Sequence, residues 1–158
     1  MKQGWKTVKL SEVMQHEVDA VPVTDLPEFP IAGVYGFARG LFKREALQNT
    51  QTTYKFFHRL HKDMFVISTP KAWEGALARV TDEFDGWFLS PVFPTFRANA
   101  KKLDIKYFEW FCRQAPVWNM LRRKSRGMGA RRESVSAKKF LTLDIPLPPI
   151  EEQHRIVA

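Results

Sequence analysis

Apolar and polar residues alternate in short runs over the first hundred positions, and then the pattern switches to a helical period. Trp5, Val8 and Leu10 interleave with Lys6, Thr7 and Lys9, which predicts a short first strand before a turn of helix around Ser11 and Met14. Pro22, Pro27 and Pro30 space the next stretch. A residue before proline avoids the helical region, so this part reads as loop with an edge strand. The run FPIAGVYGFARGLFKRE at 29–45 combines strand formers with Gly33, Gly36 and Gly40. It predicts a strand entering a tight glycine turn that presents Arg39, Lys43 and Arg44, with the glycines letting backbone approach a ligand closely. Residues 53–60 are strand-like, and MFVIST at 64–69 is a continuous apolar run of the kind a buried strand shows. Residues 73–80 and 87–96 continue the β signal, punctuated by Gly75 and by Asp85-Gly86, which reads as a hairpin turn. Pro91 and Pro94 make the last of these an edge strand or one broken by bulges.

From Lys101 the period lengthens. Leu103, Tyr107, Trp110 and Phe111 fall on one stripe of a helix that Pro116 ends, and a second helix is expected from Pro116 to about Lys124. Aromatics at this spacing are read as core and not as a base-stacking platform. KKFLTLDIPLPP, ending at Pro149, alternates as a final strand, and Pro149 then fits the first position of a helix, IEEQHRIVA, with Glu151 and Glu152 near its positive end. The expected fold class is α+β: a mixed, mainly antiparallel twisted sheet with a few packed helices, ending in the start of a longer helix.

Composition narrows the class. A length of 158 residues suits one domain with its own core, and a single cysteine, Cys112, cannot form an internal bridge, which is compatible with a reducing cytoplasm. A content of 44% hydrophobic residues with 13 Phe excludes a disordered basic tail. No stretch approaches the ~18 consecutive apolar residues of a membrane span, so a soluble, unprocessed, cytoplasmic protein is expected.

Charge is spread unevenly along the chain. The chain carries a net +8, and the segment 122–139 holds +7 of it: Arg122, Arg123, Lys124, Arg126, Arg131, Arg132, Lys138 and Lys139 against Glu133 alone. Gly127, Gly129 and three serines lie among them, so RRKSRGMGARRES reads as a flexible cationic loop and not as a helix. Such a loop suits a phosphate backbone, and an arginine fork suits a phosphate or the O6/N7 edge of guanine. The candidate contacts for a phosphate-rich partner are Arg122, Arg123, Lys124, Arg126, Arg131 and Arg132, with Arg39, Lys43 and Arg44 as a second region. A run of this kind is also what a plain solvated surface looks like, and Lys138 and Lys139 fit the solvated ends of a strand.

Catalytic patterns are missing. The Gly33, Gly36, Gly40 spacing is wrong for a dinucleotide fingerprint and there is no P-loop lysine motif. A restriction-type nuclease needs an acid and an acid-x-Lys pair for Mg²⁺, and only Asp104-Ile-Lys106 offers one, at a helix start and without a second acid. His58, His61, Cys112, His16 and His154 make no metal-ligand pattern. No metal or catalytic residue is assigned.

The block GARRESVSAKKFLTLDIPLPPIEEQHRIV at 129–157, above all IPLPPIEEQHRIV, resembles the end of a target recognition domain in the specificity subunit of type I restriction-modification systems. Trp5-x-x-Val8-x-Leu10, GVYGFARGLFKRE, MFVISTPKAWEGALARV and LDIKYFEWF support the resemblance, which covers almost the whole chain. It implies a DNA target recognition domain over 1–148 and the start of a spacer helix over 149–158. It implies a subunit that neither cuts nor methylates, whose recognition domain reads half of a split double-stranded DNA target. Its partners would be methyltransferase subunits using S-adenosylmethionine and restriction subunits using ATP and Mg²⁺, so no cofactor is expected in this chain. The methyltransferase would flip the methylated base. A complete subunit of the family has two such domains joined by long helices, whereas here the helix has barely begun at Ala158. A half-subunit pairing with a second copy, or a piece of a longer subunit, are both compatible with this. Three other readings stay open: an RNA-binding domain stacking bases on Phe42, Tyr54, Phe56 or Phe57, an assembly module acting through the terminal helix, and a small Mg²⁺ nuclease.

Overall fold

Prolines and glycines every few residues keep the strands short, and the computed structural model, which describes residues 4–125 and 134–158, has an α+β architecture of brief antiparallel strands and four helices among those residues. In chain order the strands are β1 (Lys6–Lys9), β2 (Met14–His16), β3 (Ala20–Pro22), β4 (Glu28–Phe29), β5 (Ala32–Val34), β6 (Leu41–Lys43), β7 (Leu47–Gln48), β8 (Phe56–Arg59), β9 (Phe65–Ile67), β10 (Leu77–Arg79), β11 (Phe88–Leu89) and β12 (Thr95–Ala98). The helices α1 (Ile105–Cys112), α2 (Ala115–Ser125) and α3 (Ala137–Phe140) follow, then β13 (Asp144–Leu147) and α4 (Ile150–Ile156). The strands form a four-stranded sheet in the order β10-β9-β12-β2, a three-stranded sheet β11-β8-β3, and the pairs β1-β13, β4-β7 and β5-β6. Every one of these pairings is antiparallel. A lone parallel bridge joins Ile31 to Phe88.

The apolar run at 64–69 becomes β9, which lies between β10 and β12 and is buried on both faces. Phe65 and Ile67 enter the main core, and Val66 enters a second cluster with Leu60, Met64 and Leu89. The main core seats α1, α2 and α3 against the four-stranded sheet. Four buried rings fill it, with Phe65 to Phe108 at 4.8 Å, Phe96 to Phe140 at 4.9 Å and Phe65 to Phe140 at 6.1 Å between centroids. Such fully buried side chains each contribute roughly 1.5 to 3 kcal/mol.

Several expectations are corrected. On α1 the buried residues are Tyr107, Phe108 and Cys112, while Trp110 is partly exposed, because the helix begins at Ile105 under an Asp104 cap and its core face is turned by one position. KKFLTLDIPLPP is not one strand: Ser136 caps Lys139 N at 3.2 Å and starts α3, so Lys138 and Lys139 sit on a short helix and only Asp144–Leu147 pairs, with β1. Pro149 is the cap of α4 and not its first residue. Ala72–Glu74 form a 3-10 turn inside the predicted strand 73–80. Asp85-Gly86 is not a hairpin turn, because it leads from β10 to β11 and these belong to different sheets. Its geometry is fixed instead by Asp85 Oδ1 accepting from Lys62 N at 2.8 Å and by Gly86 at φ +85°. Pro91 and Pro94 lie in the connection between β11, an edge strand, and β12.

Candidate nucleic-acid interface

The β5-β6 pair is a two-stranded ribbon in which Ala32, Gly33 and Val34 face Lys43, Phe42 and Leu41. Gly33 serves packing here: a Cβ on it would stand 2.3 Å from the Phe42 ring, which stacks in turn at 4.3 Å from Tyr35. That corrects the expectation that this glycine exists to admit a ligand. The tip of the ribbon closes with Tyr35 N donating to Gly40 O at 2.9 Å, and then leans on the 3-10 turn at 72–74. Phe37 N donates to Glu74 O at 2.7 Å and Ala38 N to Gly75 O at 2.8 Å. Phe37 at φ 59° and Ala38 at φ 53° both occupy the left-handed region.

The 3-10 turn rests in turn on α2. Gly75 leaves the space that lets Phe37 and Trp118 approach, with ring centroids 5.8 Å apart. Trp118 Nε1 donates to Cys112 O at 2.8 Å, which fixes the indole. Trp73 Nε1 donates to Pro70 O at 2.9 Å, and its ring carries the Arg122 guanidinium at 4.4 Å and the Lys71 ammonium at 5.7 Å. At the tip, Arg39 lies 4.9 Å from the Tyr35 ring and 5.9 Å from the Phe37 ring, and its Nε donates to Gly36 O at 2.9 Å. Cations held over aromatic faces are attracted by the ring quadrupole and keep their edge N–H groups for an outside acceptor.

The structure therefore brings two separately predicted regions, Arg39 and Arg122, onto one continuous support through Gly75, Trp73 and Trp118. Arg122, Arg123 and Lys124 sit on the last turn of α2, as the helix expected to about Lys124 has it and against the reading of RRKSRGMGARRES as loop from its first residue; positive charge there complements the helix dipole. Glycine and serine suggested a loop too early, and the helix runs on because Leu121 and Ser125 are buried. Arg126, Arg131 and Arg132 lie outside the described residues. The described residues on either side of them are close, with Ser134 N donating to Ser125 O at 3.4 Å and Val135 N to Thr69 O at 2.8 Å, beside the Lys71–Gly75 segment. Lys43 and Arg44 are at the other end of the ribbon: Lys43 pairs with Glu83 at 3.3 Å and lies 5.5 Å from the Trp87 ring, and Arg44 N donates to Ile31 O at 2.9 Å. Among the described residues no carboxylate lies within 4 Å of the side-chain nitrogens of Arg39, Lys71, Arg122, Arg123 or Lys124. Glu74, half-buried, is the acid within the 3-10 turn itself.

The sequence reading missed Lys71, Trp73, Gly75, Trp118 and Phe37 as parts of this surface. In sequence Trp73 reads as strand and Gly75 as turn punctuation, and no spacing rule marks a tryptophan in a 3-10 turn as a cation platform. The remaining candidates for chemistry have structural partners. Asp104 caps α1 by accepting from Lys106 N at 2.8 Å, His61 Nε2 meets Asp19 Oδ2 at 2.7 Å and His58 Nδ1 meets Phe93 O at 3.0 Å. Burial pushes the Cys112 thiol well above its ordinary value, with the Glu109 carboxylate adding to the shift, so it is no nucleophile. Of the four aromatics considered for base stacking, Phe57 is in the core and Phe42 is packed under Tyr35, leaving Tyr54 and Phe56 exposed. No helix among the described residues is long and apolar enough to cross a membrane.

Comparison with known proteins adds the following. The family profile of the type I restriction modification DNA specificity domain matches residues 2–158. The fold is similar to the HsdS subunit from Thermoanaerobacter tengcongensis, with a TM-score of 0.81 at 23% identity over 99% of this chain and 41% of that one. It is also similar to a chain of a structure described as the basis of complex assembly and conformational transition of the type I R-M system, with a TM-score of 0.79 at 23% identity over the same shares. The chain thus spans well under half the length of these solved relatives. No curated protein matches it.

Proposed function

The chain belongs to the family of type I restriction-modification DNA specificity domains, and from that premise we propose that it reads one half of a bipartite double-stranded DNA target without itself cutting or methylating. The observation that supports this reading is the convergence of Arg39, Lys71 and Arg122, stacked on rings and, among the described residues, unpaired by acids, on the side where the chain enters and leaves the cationic segment 126–133. Phosphate contacts from these residues position the duplex, and a few side chains read base edges. Arg126, Arg131 and Arg132, outside the described residues, are proposed as further DNA contacts on the strength of their charge. Lys43 and Arg44, at the far end of the ribbon, make at most outer phosphate contacts.

In this reading the methyltransferase subunits supply S-adenosylmethionine chemistry, the restriction subunit supplies ATP- and Mg²⁺-dependent cleavage, and the other half of the target is read by a second recognition domain or a second copy. The complex works in the cytoplasm. Residues 1–148 form the recognition domain and 149–158 open the spacer helix toward these partners.

The test is a binding selection from random duplex DNA at two salt concentrations. An enriched motif of a few base pairs, bound with an affinity that falls steeply in salt, is expected. Recovery of no motif, with single-stranded RNA outcompeting duplex, refutes the proposal in favour of RNA binding.

A further inference from the structure

Phe37 is the most exposed large apolar residue among those described, at 62%. A ring in that position gains little from the core: it touches Trp118 at 5.8 Å on one side and the Arg39 guanidinium at 5.9 Å on another. The backbone beneath it is also costly, since Phe37 and Ala38 are consecutive non-glycine residues at positive φ. The fold pays for this conformation with two backbone hydrogen bonds to Glu74 O and Gly75 O and with a glycine at 75 that admits the tip. Strain held in place by surrounding structure is characteristic of sites where a side chain must be presented in one orientation. Phe37 is thus a fixed apolar probe at the end of a two-stranded ribbon, with the Arg39 guanidinium beside it.

We propose that Phe37 is a specificity-determining residue that reads a thymine through its C5-methyl group. The inference rests on the DNA-recognition reading above and names one contact within it. A two-stranded ribbon fits the major groove of B-DNA, about 12 Å wide, and among the groups the four bases present there the thymine methyl is the apolar one. Arg39, stacked on Tyr35 and tied to Gly36 O, travels with the ring and supplies charge to the adjoining phosphate or guanine edge. The amino donors of the groove can reach a phenyl face only through weak N–H···π contacts and its acceptors gain nothing from one, so the methyl group is the best complement for a solvent-exposed phenyl held in this way.

Deoxyuridine differs from thymidine by that methyl alone, which makes the contact separable from folding. Each thymine of the selected target is replaced in turn by deoxyuridine, and binding is measured for the unaltered chain, for Phe37→Ala and for Phe37→Leu. At one position the unaltered chain loses about fourfold in affinity, the worth of one buried methyl group. Phe37→Ala binds more weakly overall and shows no further loss at that position, whereas Phe37→Leu keeps part of the sensitivity. Thermal unfolding of both variants stays close to that of the unaltered chain. The proposal is overturned if no thymine is sensitive, or if Phe37→Ala keeps the full sensitivity. If selection yields no motif and single-stranded RNA outcompetes duplex, the DNA reading itself fails and this contact fails with it, so the two failures are read from different experiments.

Discussion

Replacing Gln153 by leucine tests how the end of the chain is held. The Gln153 side chain is completely buried, and each of its polar atoms is used. Asp104 N donates to its Oε1 at 2.7 Å, and its Nε2 donates to Lys102 O and to Pro148 O, both at 2.9 Å. One amide thus ties α4 to the start of α1 and to the proline corner after β13. Leucine has nearly the same volume but makes none of these bonds. Pro148 O is buried, and leaving such a group unsatisfied costs about 1 to 3 kcal/mol; the two partly buried groups recover some water and cost about 1 kcal/mol each. The total of roughly 3 to 5 kcal/mol is a large share of the ~5 to 15 kcal/mol that holds a typical domain together. A cheaper escape exists, because α4 has only seven residues and can peel away with its partners rehydrated.

Hydrogen exchange of the Gln153→Leu variant distinguishes these outcomes from no effect. Amides of α4 and of Asp104 are expected to lose protection whichever route is taken, with thermal stability falling by something on the order of 10 °C if the domain unfolds as one unit. Gln153→Glu should be worse near neutrality than in acid, since a carboxylate then faces two carbonyl oxygens. Unchanged protection of α4 and Asp104 in the leucine variant would refute the argument that this amide is the tie.

Further outcomes follow from other contacts. Gly75→Ala puts a Cβ 2.7 Å from the Trp118 indole and 3.0 Å from Phe37 backbone, at φ +77°, so the ribbon tip should undock; the Trp118 Nε1–H resonance would shift and DNA affinity would drop, and an unmoved resonance with full affinity would contradict the packing role given to Gly75. Desolvation, with the nearby Cys112 adding to it, raises the Tyr107 hydroxyl to about 12, and it donates to Pro146 O at 2.9 Å. A folded value above the unfolded one of about 10 means a stabilisation fully present below pH 10 and lost between pH 10 and about 12, on the order of 2 kcal/mol, which urea titrations at pH 9 and 11 would detect and Tyr107→Phe would abolish. Arg39→Ala and Arg122→Ala should each reduce the slope of log affinity against log salt by about 1, and Lys43→Ala by less because Lys43 is already paired with Glu83; equal slopes for all three would dissolve the distinction between the two ends of the ribbon.

The parts legible in the sequence were those with a period. The continuous apolar run gave β9, the glycine-punctuated stretch gave the β5-β6 ribbon, and Pro116 and Pro149 marked two helix starts to within a residue. What stayed illegible depends on contacts distant in sequence. Asp85-Gly86 has hairpin chemistry, yet the strands it joins lie in separate sheets. Ser136 outweighs the alternation of the segment after it by capping α3. The cationic cluster is visible in composition, but its first three members fall under two competing expectations, a helix to about Lys124 and a glycine-serine loop from Arg122, and the helix prevails because Leu121 and Ser125 face the core. Lys71 and Trp73 carried no signal at all, since their role depends on α2 lying against them.

The way the cations are held separates scaffold from surface. Arg79, mostly buried, bridges Asp63 at 3.4 Å and Glu109 at 3.2 Å, Arg97 pairs with Glu17 at 3.0 Å, and Arg59 reaches Asp19 at 3.9 Å. These charges are consumed in holding sheets and helix together, and a phosphate would have to displace a carboxylate to use them. Arg39, Lys71 and Arg122 are ordered by rings instead. A ring restricts the side chain without neutralising it, so the ordering entropy is already spent while the full charge remains for an incoming anion. The same total charge arranged as ion pairs would make a stable surface and a poor phosphate site. On this ground the proposed DNA-facing side of the domain is assigned by the aromatic residues at 35, 37, 73 and 118, and not by the count of basic residues.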